Sequence, residues 1–144
     1  MKTHELKQES DYFDQQKDKI KKFEIRKNDR DYQIGDILEL KRYHSKLGYS
    51  RAVEIVCTDE ITMEPVKGKT LKLCEEDEAD TLKVKVTSIM TASEWNSPDA
   101  YIFADMHTTF SHSDLISISK VLKGYFQTDT LPDDYVILET EVIE

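Results

Sequence analysis

The chain has 144 residues, of which 38% are hydrophobic and 34% charged, and its formal net charge is −9. This length fits one domain, and recurring aromatic and branched apolar residues distinguish the chain from a disordered one. No run approaches the ~20 apolar residues of a membrane span, and the first residues lack the apolar core of a signal peptide. We therefore expect a single cytoplasmic domain over residues 1–144, without membrane association, in which Cys57 and Cys74 are buried or idle thiols.

Charge is distributed unevenly along the chain. Residues 1–51 contain 13 basic and 10 acidic side chains, whereas residues 52–144 contain 7 basic and 19 acidic ones. A net acidic protein binds nucleic acid poorly through charge alone, so such binding should depend on the basic first third. The asymmetry also fits a solvated acidic face, or a protein-interaction module whose acidic second part contacts a basic partner or mimics nucleic acid.

The first predicted elements are a short edge strand at residues 4–7 and a helix at residues 10–20. Ser10 precedes the helical pattern as a favourable N-cap, and lysines gather at the far end, as the helix dipole prefers. The later predicted elements are strands at residues 37–43, 51–63, 70–74, 82–86 and 134–143 and a helix at residues 114–123, with residues 93–113 mostly irregular.

Residues 23–27 alternate between apolar and charged side chains, which predicts a half-buried strand. Phe23 and Ile25 should face the core of the domain. Glu24 and Arg26 should share the opposite face, about 7 Å apart at Cα, and should line a concavity. This strand is therefore the first candidate for a binding surface.

Many strands joined by turns, with two or so helices, predict an α+β fold built as a small mixed β-barrel or a curled sheet. The chain has four glycines and no glycine-rich phosphate loop, which excludes P-loop and dinucleotide-binding folds. Neither the two cysteines nor His107 and His112 show the close ligand pairing of a zinc site, and no nucleophile elbow is present. We expect no metal site and no cofactor.

The first third of the chain contains three short motifs: HELK at residues 4–7, KKFEIRKNDR at residues 21–30 and GD at residues 35–36. Together they resemble a bacterial and phage family assigned to the ASCH/PUA-like superfamily, whose signature is G-x-K-x-x-E-x-R. Lys21, Glu24 and Arg26 fall on that signature, while Lys19 occupies its glycine position.

The resemblance implies a PUA-like (ASCH-type) β-barrel with a cleft beside the Lys/Glu/Arg strand, and superfamily relatives are proposed to bind RNA. It is specific over residues 4–43 and implies that residues 58–81 and 91–130 are insertions. One branch of the superfamily is similar to amidohydrolases that act on acetylated cytidine with a lysine, a threonine and a glutamate. Lys21 occupies the lysine position, but Glu24 replaces the threonine, which argues against that particular reaction.

The residue types in this segment suit recognition of a nucleic acid or a nucleotide. Arg26 and Arg30 each offer a planar guanidinium to a phosphate or a base edge, and Glu24 can accept a hydrogen bond from an exocyclic amine. Lys21 can hold a phosphate or, if desolvated, can act with Glu24 as an acid/base pair. Because residues 17–22 are very polar, we expect Lys21 to stay partly solvated and charged, which favours binding over catalysis. A solvated ladder of surface ion pairs is the structural alternative.

Four further residues complete the candidate nucleic-acid site. Tyr43 and Tyr49 flank the loop after the second strand and can stack on bases, although packing at a barrel rim explains them at least as well. Asn28 and His4 can reach the same cleft, although a turn and a core histidine are ordinary structural roles. The sequence thus predicts an RNA- or nucleotide-binding domain, with two alternatives: a hydrolase acting on RNA or a modified nucleoside in the same cleft, or the protein-interaction module.

Overall fold

A computed structural model describes residues 1–143 and has an α+β fold, which confirms the predicted fold class. Four α-helices are present in that range, rather than the two or so expected. The strands are β1 (Thr3–Glu9), β2 (Phe23–Lys27), β3 (Ile37–His44), β4 (Gly48–Thr58), β5 (Pro65–Leu73), β6 (Thr81–Thr91) and β7 (Tyr135–Val142). The helices are α1 (Ser10–Lys17), α2 (Ala92–Trp95), α3 (Ala100–His107) and α4 (His112–Phe126), and a 3-10 turn spans Glu76–Glu78.

The strands form one sheet in the order β2-β7-β6-β3-β4-β5, and β1 pairs with the remaining side of β3. All pairings are antiparallel except the parallel pairing of β1 with β3. β1 and β2 each have a single strand neighbour, and within residues 1–143 no ladder joins them to each other. The sheet therefore stays open at these two edges, and the predicted closed barrel is not confirmed.

Both faces of the sheet are covered at β7, which buries side chains on its two sides. Leu138 packs with Phe13 of α1 in one apolar cluster, whereas Ile137 packs with Ile118 and Leu122 of α4 in the other. Alternating residues of a strand point to opposite faces, so β2 beside β7 must also bury both of its faces. No helix within residues 1–143 has the length and apolar character needed to cross a membrane.

The helix after β1 is shorter than predicted and begins differently. Ser10 is its first residue, and Glu9 occupies the N-cap position without a side-chain bond, so the assignment of Ser10 as N-cap is wrong. The Ser10 hydroxyl instead accepts from buried Arg42, at 2.7 Å, and Arg42 also donates to Asp14 and Asp80 at 2.8 and 2.9 Å. This network connects α1 with β3 and with Asp80, the residue before β6.

The prediction of irregular structure at residues 93–113 is wrong. Thr91 and Glu94 form a reciprocal capping box that starts α2, and the apolar run at 100–107 forms α3. These helices and α4 fill the segment 91–130, whose status as an insertion stays a prediction. The gap between the predicted strands at 51–63 and 70–74 is also misplaced, because Pro65 and Gly68 both lie in β5. Proline is tolerated in an edge strand, since one side of that strand has no neighbour to receive an amide hydrogen bond.

β4 and β5 form a two-stranded arm at the edge of the fold, over residues 51–73. β4 pairs with β3 only through Gly48 and Tyr49, and it then pairs with β5 alone. Every residue of β5 is exposed. The arm therefore has a free edge on each strand and projects from the sheet that positions the site described next.

Candidate functional site

A cleft of about 540 Å³ lies where the open edges of β1 and β2 face each other. The two strands supply its floor, and α1 and α4 supply side chains from opposite sides. It is lined by Lys7, Gln8, Glu9, Tyr12, Lys21, residues 23–27, Tyr43, Ser45, Val121, Tyr125, Phe126 and Tyr135. The predicted concavity beside Glu24 and Arg26 is thus present.

The carboxylate of Glu24 is the centre of the cleft floor and is only 2% exposed. Its Oε1 accepts hydrogen bonds from Lys21 Nζ, at 3.1 Å, and from Gln8 Nε2. Its Oε2 lies 3.2 Å from both Nε and Nη2 of Arg26. A carboxylate has about four acceptor positions, and the hydrogen bonds from Lys21, Gln8 and Arg26 use three of them. Glu24 therefore holds its three neighbours in place, which leaves it little capacity to accept from a base amine.

Lys21 is buried at 7% exposure, and its ammonium lies 5.0 Å from the ring centroids of Tyr12 and Phe23. Burial lowers the pKa of Lys21, against the opposing attraction of Glu24. The expectation of a partly solvated lysine is wrong, and the surface ion-pair alternative fails with it. After α1 ends, Lys19 adopts a left-handed φ of 62°, and the chain then brings Lys21 under the helix.

Two arginines bridge the open gap between the strands. Arg26 Nη2 donates to the Lys7 carbonyl at 2.9 Å, and Arg30 Nη1 donates to the Glu5 carbonyl at 2.8 Å. A carbonyl is neutral, so the bond to Glu5 orients Arg30 without cancelling its charge, whereas Arg26 is also paired with Glu24. The edge of β1 therefore has two oriented guanidinium groups beside it.

The predicted tyrosines lie beside the cleft. The rings of Tyr43 and Tyr49 are 5.1 Å apart, and Lys7 Nζ lies 4.6 Å from the Tyr43 centroid and 6.0 Å from that of Tyr49. Tyr43 lines the cleft itself, whereas Tyr49 lines an adjoining groove. The Lys7 ammonium lies over both rings and adds a cation–π contact to this side of the cleft.

Neither Asn28 nor His4 lines the cleft. Asn28 is exposed, and its backbone amide donates to the Asp134 carbonyl at 2.7 Å, a turn contact. His4 is buried at the far end of β1, where Nε2 lies 2.9 Å from Asp36 Oδ2 and the ring meets Tyr32 edge-on at 4.9 Å. Burial opposes ionisation of Asp36, but its bonds from His4 and two backbone amides prevail and lower its pKa to about 2.

Sequence reasoning missed the cleft residues that come from other elements. Gln8 was detectable, because it follows His4 and Leu6 on the buried face of β1, where a polar residue needs a partner. Tyr125 and Phe126 lie at the end of α4, beyond the predicted end of that helix at residue 123, and no local pattern connects them to β2. Partial burial raises the pKa of Tyr125 to about 12.

No group of three or more His, Cys, Asp or Glu side chains within residues 1–143 is arranged to hold a metal ion. Cys57 is exposed, so it is not one of the buried thiols that the sequence allowed, and Cys74 is half-buried. The polar side chains that line the cleft, beside several aromatic rings, are those of Lys7, Lys21, Lys27, Arg26, Glu9, Glu24, Gln8 and Ser45.

Comparison with known families places the cleft floor in a shared region. A search of the curated proteins finds no match. A family model described as "Domain of unknown function (DUF3850)" matches residues 3–106, well over half of the chain. The match includes β1, α1 and β2 but neither α4 nor β7. Tyr125, Phe126 and Tyr135, here called the aromatic wall, therefore lie outside it. The chain belongs to the DUF3850 family.

Proposed function

We propose that this chain binds a nucleic acid or a nucleotide, with RNA the expected ligand, in the cleft between β1 and β2. One observation carries the proposal: the cleft combines fixed cations with accessible aromatic rings in a space of about 540 Å³. Unpaired bases are recognised by stacking on aromatic side chains and by hydrogen bonds to their edges, and phosphates are recognised by Arg and Lys. Aromatic rings, hydrogen-bonding side chains and the basic side chains of Arg and Lys all line the cleft.

The polar groups of the floor suit the edge of a base. Lys21 has ammonium protons beyond the one directed at Glu24, and these can donate to a base carbonyl. Glu24 accepts only, so Gln8 must turn its amide nitrogen to that carboxylate. The amide oxygen of Gln8 then remains to accept from an exocyclic amine. Together, the donor of Lys21 and the acceptor of Gln8 would favour a base that carries both a carbonyl and an amine.

We also infer that the family belongs to the ASCH/PUA-like superfamily. The signature residues Lys21, Glu24 and Arg26 meet in one cleft, which supports this assignment. The barrel expected of that superfamily would here be completed by side chains, since Arg26 and Arg30 span the gap where a ladder is missing.

The test is a titration of the protein with the four ribonucleoside 5′-monophosphates, followed by amide chemical shifts. We expect shifts at β1, β2 and the end of α4, and their loss in Arg26→Gln. Lys120→Gln removes one positive charge from the opposite side of α4 and serves as the control. Shifts that are absent, or that persist unchanged in Arg26→Gln, would refute the proposed site.

Hydrolysis of RNA or of a modified nucleoside is the second candidate, and the burial of Lys21 favours it. A lysine whose pKa is lowered by burial can exchange protons nearer neutral pH, which an acid/base catalyst requires. Glu24, 3.1 Å away, would act as a positioning residue because it already accepts hydrogen bonds from Lys21, Gln8 and Arg26.

This candidate is tested by incubating the protein with short RNAs and with acetylated and unmodified cytidine, and separating the products by chromatography. Product formation that disappears in Lys21→Met and Lys21→Arg, with both variants folded by circular dichroism, would establish the enzyme. No product in any reaction would leave binding as the function.

A further inference from the structure

A second concavity of about 420 Å³, here called the side groove, adjoins the cleft. Lys7 and Arg26 line both spaces, so these two side chains form the partition between them. The side groove is lined by Glu5, Leu6, Lys7, Arg26, Arg30, Lys41, Tyr49 and Glu76. It therefore repeats the composition of the cleft on a smaller scale, with cations beside one aromatic ring.

The side groove has an excess of positive charge, with four cationic side chains against two carboxylates. Its outer cations are held by neutral acceptors: Arg30 by the Glu5 carbonyl at 2.8 Å, and Lys41 by the Glu76 carbonyl at 3.3 Å. Within residues 1–143 neither forms an ion pair with a carboxylate at 4.0 Å or less. Their charge remains available to an anion.

Arg26 and Arg30 contact β1 at two points on the same edge of that strand. They donate to the carbonyls of Glu5 and Lys7, which lie two residues apart on one edge of the strand. That separation is about 7 Å. It is comparable to the spacing of successive phosphates in an extended single strand, so the edge of β1 offers one guanidinium per phosphate.

We propose that the ligand is a single-stranded RNA of at least two nucleotides, bound across both spaces. The first nucleotide occupies the cleft, and the phosphate that links it to the next lies at the partition formed by Lys7 and Arg26. The second base stacks on Tyr49, and the following phosphate lies between Arg30 and Lys41. A duplex is excluded because both bases must be unpaired to stack. This inference rests on the proposed function of the cleft.

The experiment compares mononucleotides with RNA oligonucleotides of two, three and six residues, using calorimetry and all four homopolymers. A second stacked base contributes about 1–3 kcal/mol, so the dinucleotide should bind roughly tenfold more tightly than the mononucleotide. Arg30→Gln and Tyr49→Leu should each remove this gain, so that the dinucleotide and the mononucleotide bind the same variant with equal affinity. Arg30→Gln should also lower the salt slope of oligonucleotide binding by about 0.7, with Lys120→Gln as the matched control.

The outcomes separate the two proposals. Mononucleotide binding that does not strengthen with length, or a gain that survives Arg30→Gln and Tyr49→Leu, overturns the side groove and leaves the cleft intact. Absence of binding to any mononucleotide or oligonucleotide overturns the proposed function itself. Tighter binding to a hairpin stem than to the single strands contradicts the single-stranded ligand.

Discussion

The cleft and the arm depart from the usual distribution of polar and apolar side chains in opposite directions. In the cleft, charged Lys21 and Glu24 are 7% and 2% exposed. In the arm, apolar Val56 and Ile61 are 64% and 93% exposed. A buried ion pair has a desolvation cost of several kcal/mol, whereas single exposed apolar side chains cost a monomer little. The cleft is therefore the region where the burial of charge lowers the stability of the fold, and we expect its function to account for this arrangement.

Removing one partner of the buried pair should have the largest effect on stability. We expect Lys21→Met to lower the free energy of unfolding by about 3 kcal/mol, because Glu24 loses a charged partner in a buried place. Lys22→Met, at the exposed neighbouring position, should change stability by less than about 0.5 kcal/mol. Urea denaturation measures both. If the two variants are equally stable, the ion pair does not have the importance that its burial indicates.

A buried charge away from the cleft should behave like those within it. Asp36 has a pKa of about 2 in the folded chain, so Asp36→Asn should lower stability at neutral pH by about 2 kcal/mol. Because the folded pKa is depressed, this contribution is present above the unfolded pKa of about 3.9 and disappears as the pH falls towards 2. Denaturation of both proteins between pH 2 and pH 7 measures it. A difference that stays constant across this range would contradict the assignment.

The aromatic wall should affect binding but not folding. Tyr125→Ala should weaken RNA binding by about 1–3 kcal/mol, the usual contribution of one stacked base. Its stability should change little, since the ring is more than half exposed. Tyr101→Ala, an exposed helical tyrosine on α3, is the matched control and should leave affinity unchanged. Equal losses of affinity in Tyr125→Ala and Tyr101→Ala would show that the ligand does not stack on Tyr125.

The arm should give the smallest effects. Val56→Thr and Ile61→Thr should each change the free energy of unfolding by less than about 0.5 kcal/mol, because neither side chain is covered. Thermal denaturation at several protein concentrations measures this. A loss of stability above about 1.5 kcal/mol, or a melting temperature that rises with protein concentration, would show that the arm is covered in solution. The exposure of apolar side chains would then no longer distinguish the arm from the cleft.

Local patterns predicted the strand of the cleft floor but not its environment. Alternation at residues 23–27 gave β2 and placed Glu24 and Arg26 in a concavity, because the period of a strand is independent of what covers it. The burial of Lys21 depends on the end of α1 and on the left-handed turn at Lys19, which composition does not encode. A stretch rich in lysine therefore contained one buried member.

The contribution of α4 was unpredictable for a different reason. Its helical pattern was recognised, but Tyr125 and Phe126 meet β2 only through the tertiary packing of residues about a hundred positions apart. The same applies to Gln8, whose partner Glu24 lies on the other edge of the open sheet. A local pattern identifies residues within one strand or helix, whereas the cleft is formed by residues from several strands and helices.

The position of β2 in the sheet has a consequence for how the protein is made. Its only strand neighbour is β7, which spans Tyr135–Val142. A chain growing on the ribosome can pair β1 with β3 and β3 with β6 well before β7 emerges, but β2 has no ladder to join until then. The cleft is consequently among the last features to form during synthesis. A nascent chain arrested near residue 130 should therefore lack an ordered cleft.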